Sequence, residues 1–164
     1  MTSDPLTGHF SWEEMTRTDH AEYQEMNRRQ AEAFRPQILV MAQLLERIRD
    51  WTGPILVHSG FRCPELNGSI KGDAPKSQHM LGQAADISRC GEQTPESVNR
   101  LFEDSRAFLK KLNIPVGQLI RERIGKGTPG WVHISLGFPW RPRGRCGEVL
   151  TMADGVFTMV DSIG

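Results

Sequence analysis

The stretch "KSQHMLGQAADIS", residues 76–88, places a histidine and an aspartate seven positions apart with a glycine between them. Seven residues make two helical turns, which would line His79 and Asp86 along one helix face. Gly82 in the middle argues against a good helix. The end of the stretch, "AADIS", reads instead as a short strand. The predicted local structure is a turn carrying His79 that feeds a strand carrying Asp86, and Gly82 lets the turn be tight.

Working outward, the same alternation of helix and strand signals extends over most of the chain. "FSWEEM" carries Ser11 and Glu14 at capping-box spacing, so a short helix starts there. A polar helical stretch follows at about 22–33. Pro36 suits the first turn of a longer helix. In it Ile38, Leu39, Met41, Ala42, Leu44, Leu45, Ile48 and Trp51 recur at helical spacing, and Gly53 can end it. "PILVHSGFR" predicts a strand at about 55–59, and "CPELNGSIKGDAPKS" a loop with one helical turn. Thr94, Pro95 and Glu96 open a helix to about residue 112, with Val98, Leu101, Phe102, Phe108 and Leu112 inward. "GQLIRE" and "WVHISL" are further strands. The tail at about 148–160 suggests a hairpin around Asp154-Gly155. Helices first and strands clustered later predict an α+β fold: a small, largely antiparallel sheet packed against several helices.

Bulk properties narrow the function. A chain of 164 residues fits one domain, here read as residues 1–164 with a core at about 9–140. Twenty basic and twenty acidic side chains cancel, which gives no support for a nucleic-acid or membrane-surface partner. The basic run of Arg141, Arg143 and Arg145 reads as a solvated loop. Three cysteines, Cys63, Cys90 and Cys146, exclude an even disulfide framework in a monomer and include no CxxC pair. They read as free thiols. No basic and apolar leader opens the sequence and no apolar run has membrane-spanning length, so a protein made in the cytoplasm is expected. A monomer is the expected state.

Alternation along the strands groups the polar residues. In "AADIS", Ala84, Asp86 and Ser88 share a face; in "WVHIS", Trp131, His133 and Ser135 do. If these strands are neighbours, Asp86 and His133 enter one cleft, and His79 can fold over to meet them. A histidine and an aspartate on adjacent strands often form a plain hydrogen-bonded pair. Two imidazoles and a carboxylate are also the set a catalytic zinc takes when it keeps a fourth position open. His58, near a strand end, is either a supporting residue or a core histidine. Trp131 and Trp140 either wall the cleft or fill the core. "GKGTPG" lacks phosphate-loop spacing.

The wording "SQHMLGQAADI" followed by "WVHIS" resembles the zinc D-alanyl-D-alanine carboxypeptidase family, a group that also contains phage peptidoglycan endopeptidases and the hedgehog signalling domain. "SGFRCPELN" is similar to the family's Ser-Gly-Tyr-Arg-Ser segment, with Phe61 and Cys63 replacing the aromatic and the serine. "HFSWEEMTRTD" resembles the opening of its smaller phage and prophage members. The resemblance implies a Zn2+ ion held by His79, Asp86 and His133. It implies that Arg62 binds a substrate carboxylate through its planar fork and that Ser77 contacts substrate. Many relatives carry a carboxylate three residues before the last histidine, where this chain has Gly130. A second branch places a glutamate at the end of the preceding strand, and Glu122 fits that position as general base. The implied function is hydrolysis of a peptide bond next to a D-amino acid in peptidoglycan stem peptides. Either a D-Ala-D-Ala carboxypeptidase or an endolysin-type L-Ala-D-Glu endopeptidase satisfies it, the second reaching the wall once the membrane is opened. The rival readings are a catalytically silent zinc module and a phage structural component on the same fold.

Overall fold

The computed structural model describes residues 4–71, 75–122, 128–137, 148–153 and 156–162. Capping residues set the helix starts. The Ser11 hydroxyl accepts from the Glu14 N–H at 3.1 Å and opens α1, Trp12–Thr16. Two single 3-10 turns flank α2, Gln24–Ala31, and lead into α3, Arg35–Thr52. Pro36 sits in the first turn of α3. Gly53, at φ +87°, ends that helix, with its N–H on the Arg49 carbonyl at 2.8 Å. Then come β1, Ile55–Ser59, the short α4, Pro64–Ser69, a 3-10 turn at Gln78–Leu81, and β2, Ala84–Arg89. Helix α5, Pro95–Lys111, carries a reciprocal cap between Thr94 and Ser97. Strands β3, Val116–Glu122, β4, Trp131–Leu136, β5, Glu148–Ala153, and β6, Val156–Ser162, complete the order.

The residues group into two compact units, and the divisions fall inside α3, β1 and β2. The first unit is Met1–Arg47 with Val57–Ala85. Its core takes Phe10, Trp12 and Met15 from the N-terminal segment, Ile38, Met41, Ala42 and Leu45 from α3, and Phe61 and Leu66. Phe34 stacks on Phe61 at 5.4 Å between ring centroids. Gly82 adopts φ +66°, and a Cβ there would meet the Ile38 side chain at 2.7 Å. Both facts favour glycine at the end of the turn predicted to carry His79.

The second unit is Ile48–Leu56 with Asp86–Gly164 and contains β3 to β6 whole; the strand order of the sheet is β1-β2-β4-β3-β5-β6. Strands β3 and β4 pair antiparallel, as do β5 and β6. The predicted tail hairpin is therefore present. Between these pairs β3 and β5 run parallel, because β4 intervenes in sequence and returns the chain to the same end. Helix α5 contributes Val98, Leu101, Phe102, Phe108 and Leu109 to the core, with Val116, Leu119, Val132 and Ile134 from the strands. Each fully buried aliphatic side chain of this kind stabilises by about 1.5–3 kcal/mol.

Two apolar residues expected inside are outside. Leu112 is half exposed, since the helix has ended before it and Leu109 takes the inward place. Trp51 is 48% exposed; it lies against Phe108 and carries the Lys111 ammonium over its ring at 4.7 Å. Among the described residues no helix is long and apolar enough to cross a membrane. The basic run at 141–145, Trp140, Cys146, the first half of the "GKGTPG" loop and the Asp154-Gly155 turn lie outside the described residues.

Candidate metal centre

His79 is placed by its turn and held by a backbone oxygen. The Ser77 hydroxyl caps the 3-10 turn, accepting from the His79 N–H at 3.4 Å. The His79 ring lies 2.6 Å, through Nδ1, from the Gly60 carbonyl. A carbonyl only accepts, so Nδ1 carries the proton and Nε2 is the nitrogen left for a metal. This is the usual way a ligating imidazole is oriented from behind. Gly60 can approach because it lacks a side chain: a Cβ there would stand 2.3 Å from the Met15 carbonyl oxygen. "SGFR" and "HMLG" are thus parts of one construction, which their separation in sequence conceals.

Asp86 and His133 come from strands adjacent in the sheet, β2 and β4. Their side chains meet at 2.9 Å, Nδ1 to Oδ1, and both are buried. The pairing expected of them at the level of sequence is present. It is also part of a larger group, for the ligand atoms of His79, Asp86 and His133 all lie within 4.8 Å of one another. Zinc ligands at about 2.0–2.2 Å from a tetrahedral ion stand roughly 3.3–3.6 Å apart. Two nitrogens and one carboxylate oxygen gathered within 4.8 Å are a donor set that can close on such an ion. They favour zinc over magnesium or calcium, which prefer oxygen-only shells.

Glu122 ends β3, with partial exposure. The register pairs Ile120 with His133 and Glu122 with Trp131. Directly paired residues project to the same face, so Glu122 is a diagonal neighbour of His133 on one face, at a typical backbone separation of roughly 7–8 Å. Gly130, where many relatives would carry a carboxylate, has φ +75°. That left-handed backbone suits glycine and disfavours glutamate, so at this position the chain makes a turn into β4.

Arg62 is buried, and its N–H donates to the His79 carbonyl at 3.2 Å. Cys63 next to it is also buried, and burial pushes its thiol up from the ordinary value. Cys90 is exposed. His58 is exposed, on the opposite side of β1 from the buried Ile55 and Val57, which removes the core-histidine reading. The residue that sequence reasoning missed is Asn27, fully buried and bonded to the Phe61 carbonyl and the Cys63 N–H. Its only signal was an asparagine four residues before Ala31 on an otherwise polar helix.

Two imidazoles and a carboxylate, buried together on an α+β scaffold, define a candidate site for a metal-dependent hydrolase. A family profile described as peptidase M15 matches residues 8–111, and the chain belongs to that family of metallopeptidases. The match includes Arg62, Ser77, His79 and Asp86; His133 and Glu122 lie beyond it and enter through geometry. No curated protein matches the chain.

Proposed function

We propose that this protein is a zinc peptidase that hydrolyses a bond next to a D-amino acid in bacterial peptidoglycan stem peptides, in an endolysin or prophage setting. The observation that carries the reading is the gathering of His79, Asp86 and His133, with Glu122 on the face of His133. Family membership supports the peptidase class. His79, Asp86 and His133 would hold the ion, which when bound polarises the scissile carbonyl and lowers the pKa of water toward neutrality. Glu122 takes the proton of the attacking water and returns it to the leaving amine nitrogen. Arg62 holds a substrate carboxylate in two-point contact, and Ser77 borders the peptide beside the His79 turn.

That carboxylate is either the free terminus of D-Ala or the α-carboxylate of D-Glu. The resemblance of the N-terminal segment to phage members favours the endopeptidase; in the structure the Met15 carbonyl of that segment lies against Gly60 and accepts from the Phe61 N–H at 2.8 Å. The second reading, a silent zinc module, draws on Gly130. The test is cleavage of two synthetic peptides, one ending in D-Ala-D-Ala and one containing L-Ala-D-Glu, before and after chelation and zinc restoration. Zinc-dependent cleavage of either supports the enzyme, and the peptide cut names the bond. Stoichiometric zinc with neither peptide cut turns the assignment to the silent module.

A further inference from the structure

We infer that Asn27 is the positioning residue that sets Arg62 in place; the inference rests on the reading of Arg62 as the carboxylate-binding group. Helix α2 is polar, and within it only Asn27 and Ala31 are buried. The Asn27 amide nitrogen donates to the Thr16 carbonyl at 2.8 Å and to the Phe61 carbonyl at 3.0 Å. Its oxygen accepts from the Cys63 N–H at 2.6 Å. The amide orientation is determined, because the flipped form would set an oxygen on two carbonyls and an NH2 on an N–H. All of its hydrogen-bonding groups are therefore directed at backbone.

Two of those bonds close on either side of one residue. The carbonyl before Arg62 and the N–H after it are both taken by Asn27, so the peptide planes flanking Arg62 are fixed by a single side chain. The Arg62 N–H is directed to the His79 carbonyl, and the Gly60 carbonyl to the His79 ring. Residues 60–63 are thereby tied to the ligand turn on one side and to α2 on the other. Without Asn27 the Phe61 carbonyl and Cys63 N–H lose buried partners, and the backbone at Arg62 can turn to seek others. A shift of about 1 Å in a positioning group is worth up to roughly a hundredfold. The arginine's grip on a carboxylate should weaken first, since the ligand turn keeps its own cap at Ser77.

The test uses the zinc-loaded full chain and calorimetric binding of a stem peptide with a free α-carboxylate beside its carboxamide. Wild type should prefer the carboxylate, Arg62→Ala should lose the preference, and Asn27→Ala should lose about tenfold of it with zinc still bound at one equivalent. In the double variant Asn27→Ala should add nothing. Hydrogen exchange should show faster Arg62 and Cys63 amides in Asn27→Ala, while the Leu101 and Leu109 amides stay protected. If that variant does not fold, Asn27→Asp, which keeps the volume and the acceptor for Cys63, should show the same direction of change. An unchanged preference in the Asn27 variants, or an equal loss for both peptides, overturns the positioning role alone. Equal binding of both peptides by wild type sinks the Arg62 assignment and this proposal with it.

Discussion

The Gly60 carbonyl accepts the Nδ1–H of His79 at 2.6 Å, and Gly60 can stand there only because it has no Cβ to strike Met15. A conformationally ordinary glycine is thus fixed by space. Gly60→Ala should push the 60–63 segment off Met15 and move the acceptor away from His79. The expected result is a lower melting temperature and about a 10–100-fold loss of zinc affinity, the range typical of removing an orienting partner. Titration with a competing chelator would read it; wild-type affinity in Gly60→Ala would remove the carbonyl from the site.

Zinc stoichiometry should separate the histidines. His133→Ala should lose the single bound equivalent, whereas His58→Ala, altering an exposed side chain on β1, should keep it. Metal content after dialysis is the measurement. Stoichiometric zinc in His133→Ala would break the ligand assignment.

The cysteines should differ in reactivity. Burial raises the Cys63 thiol, so little thiolate forms and reagents are excluded, while Cys90 is exposed. Under native conditions a maleimide should modify Cys90 and spare Cys63 until denaturant is added, as peptide mass mapping would show. Rapid labelling of Cys63 in the folded protein would contradict its placement.

Acid should loosen the N-terminal segment through Glu46. Burial tends to raise that carboxyl, but hydrogen bonds from Thr7 and His9 outweigh it and hold it below its ordinary 4.5. The sign follows from linkage: a depressed carboxyl contributes stability above its unfolded value, and the contribution is lost as pH falls through the lower folded value. Glu46→Gln should therefore lower the melting temperature at pH 7, and the gap to wild type should close as the pH drops below 4.5. A gap that is constant with pH would assign the effect to packing.

Much of this was legible in local signals. Ser11, Pro36, Thr94 and Gly53 act at helix ends within a turn of themselves, so their chemistry can be read without tertiary structure. Strand alternation likewise put Asp86 and His133 on usable faces. What could not be read depends on distant partners. The parallel pairing of β3 with β5 is set by where β4 runs, and the half-buried state of Trp51 depends on its contact with Phe108 of α5. Asn27 was hidden for the same reason, since an asparagine on a polar helix looks solvated until Phe61 and Cys63 are brought to it. The cap that Ser77 places on the His79 turn was likewise visible only once the turn was formed.

The most direct test of the central claim is digestion of purified peptidoglycan by the zinc-loaded protein, beside Glu122→Gln, with product masses read out. Wild type should yield new L-Ala carboxyl ends and D-Glu amino ends, or free D-Ala if the enzyme is the carboxypeptidase. Glu122→Gln should be slower by at least about a hundredfold with zinc still bound. No product from wild type holding one equivalent of zinc, or equal rates from the two proteins, would contradict the claim.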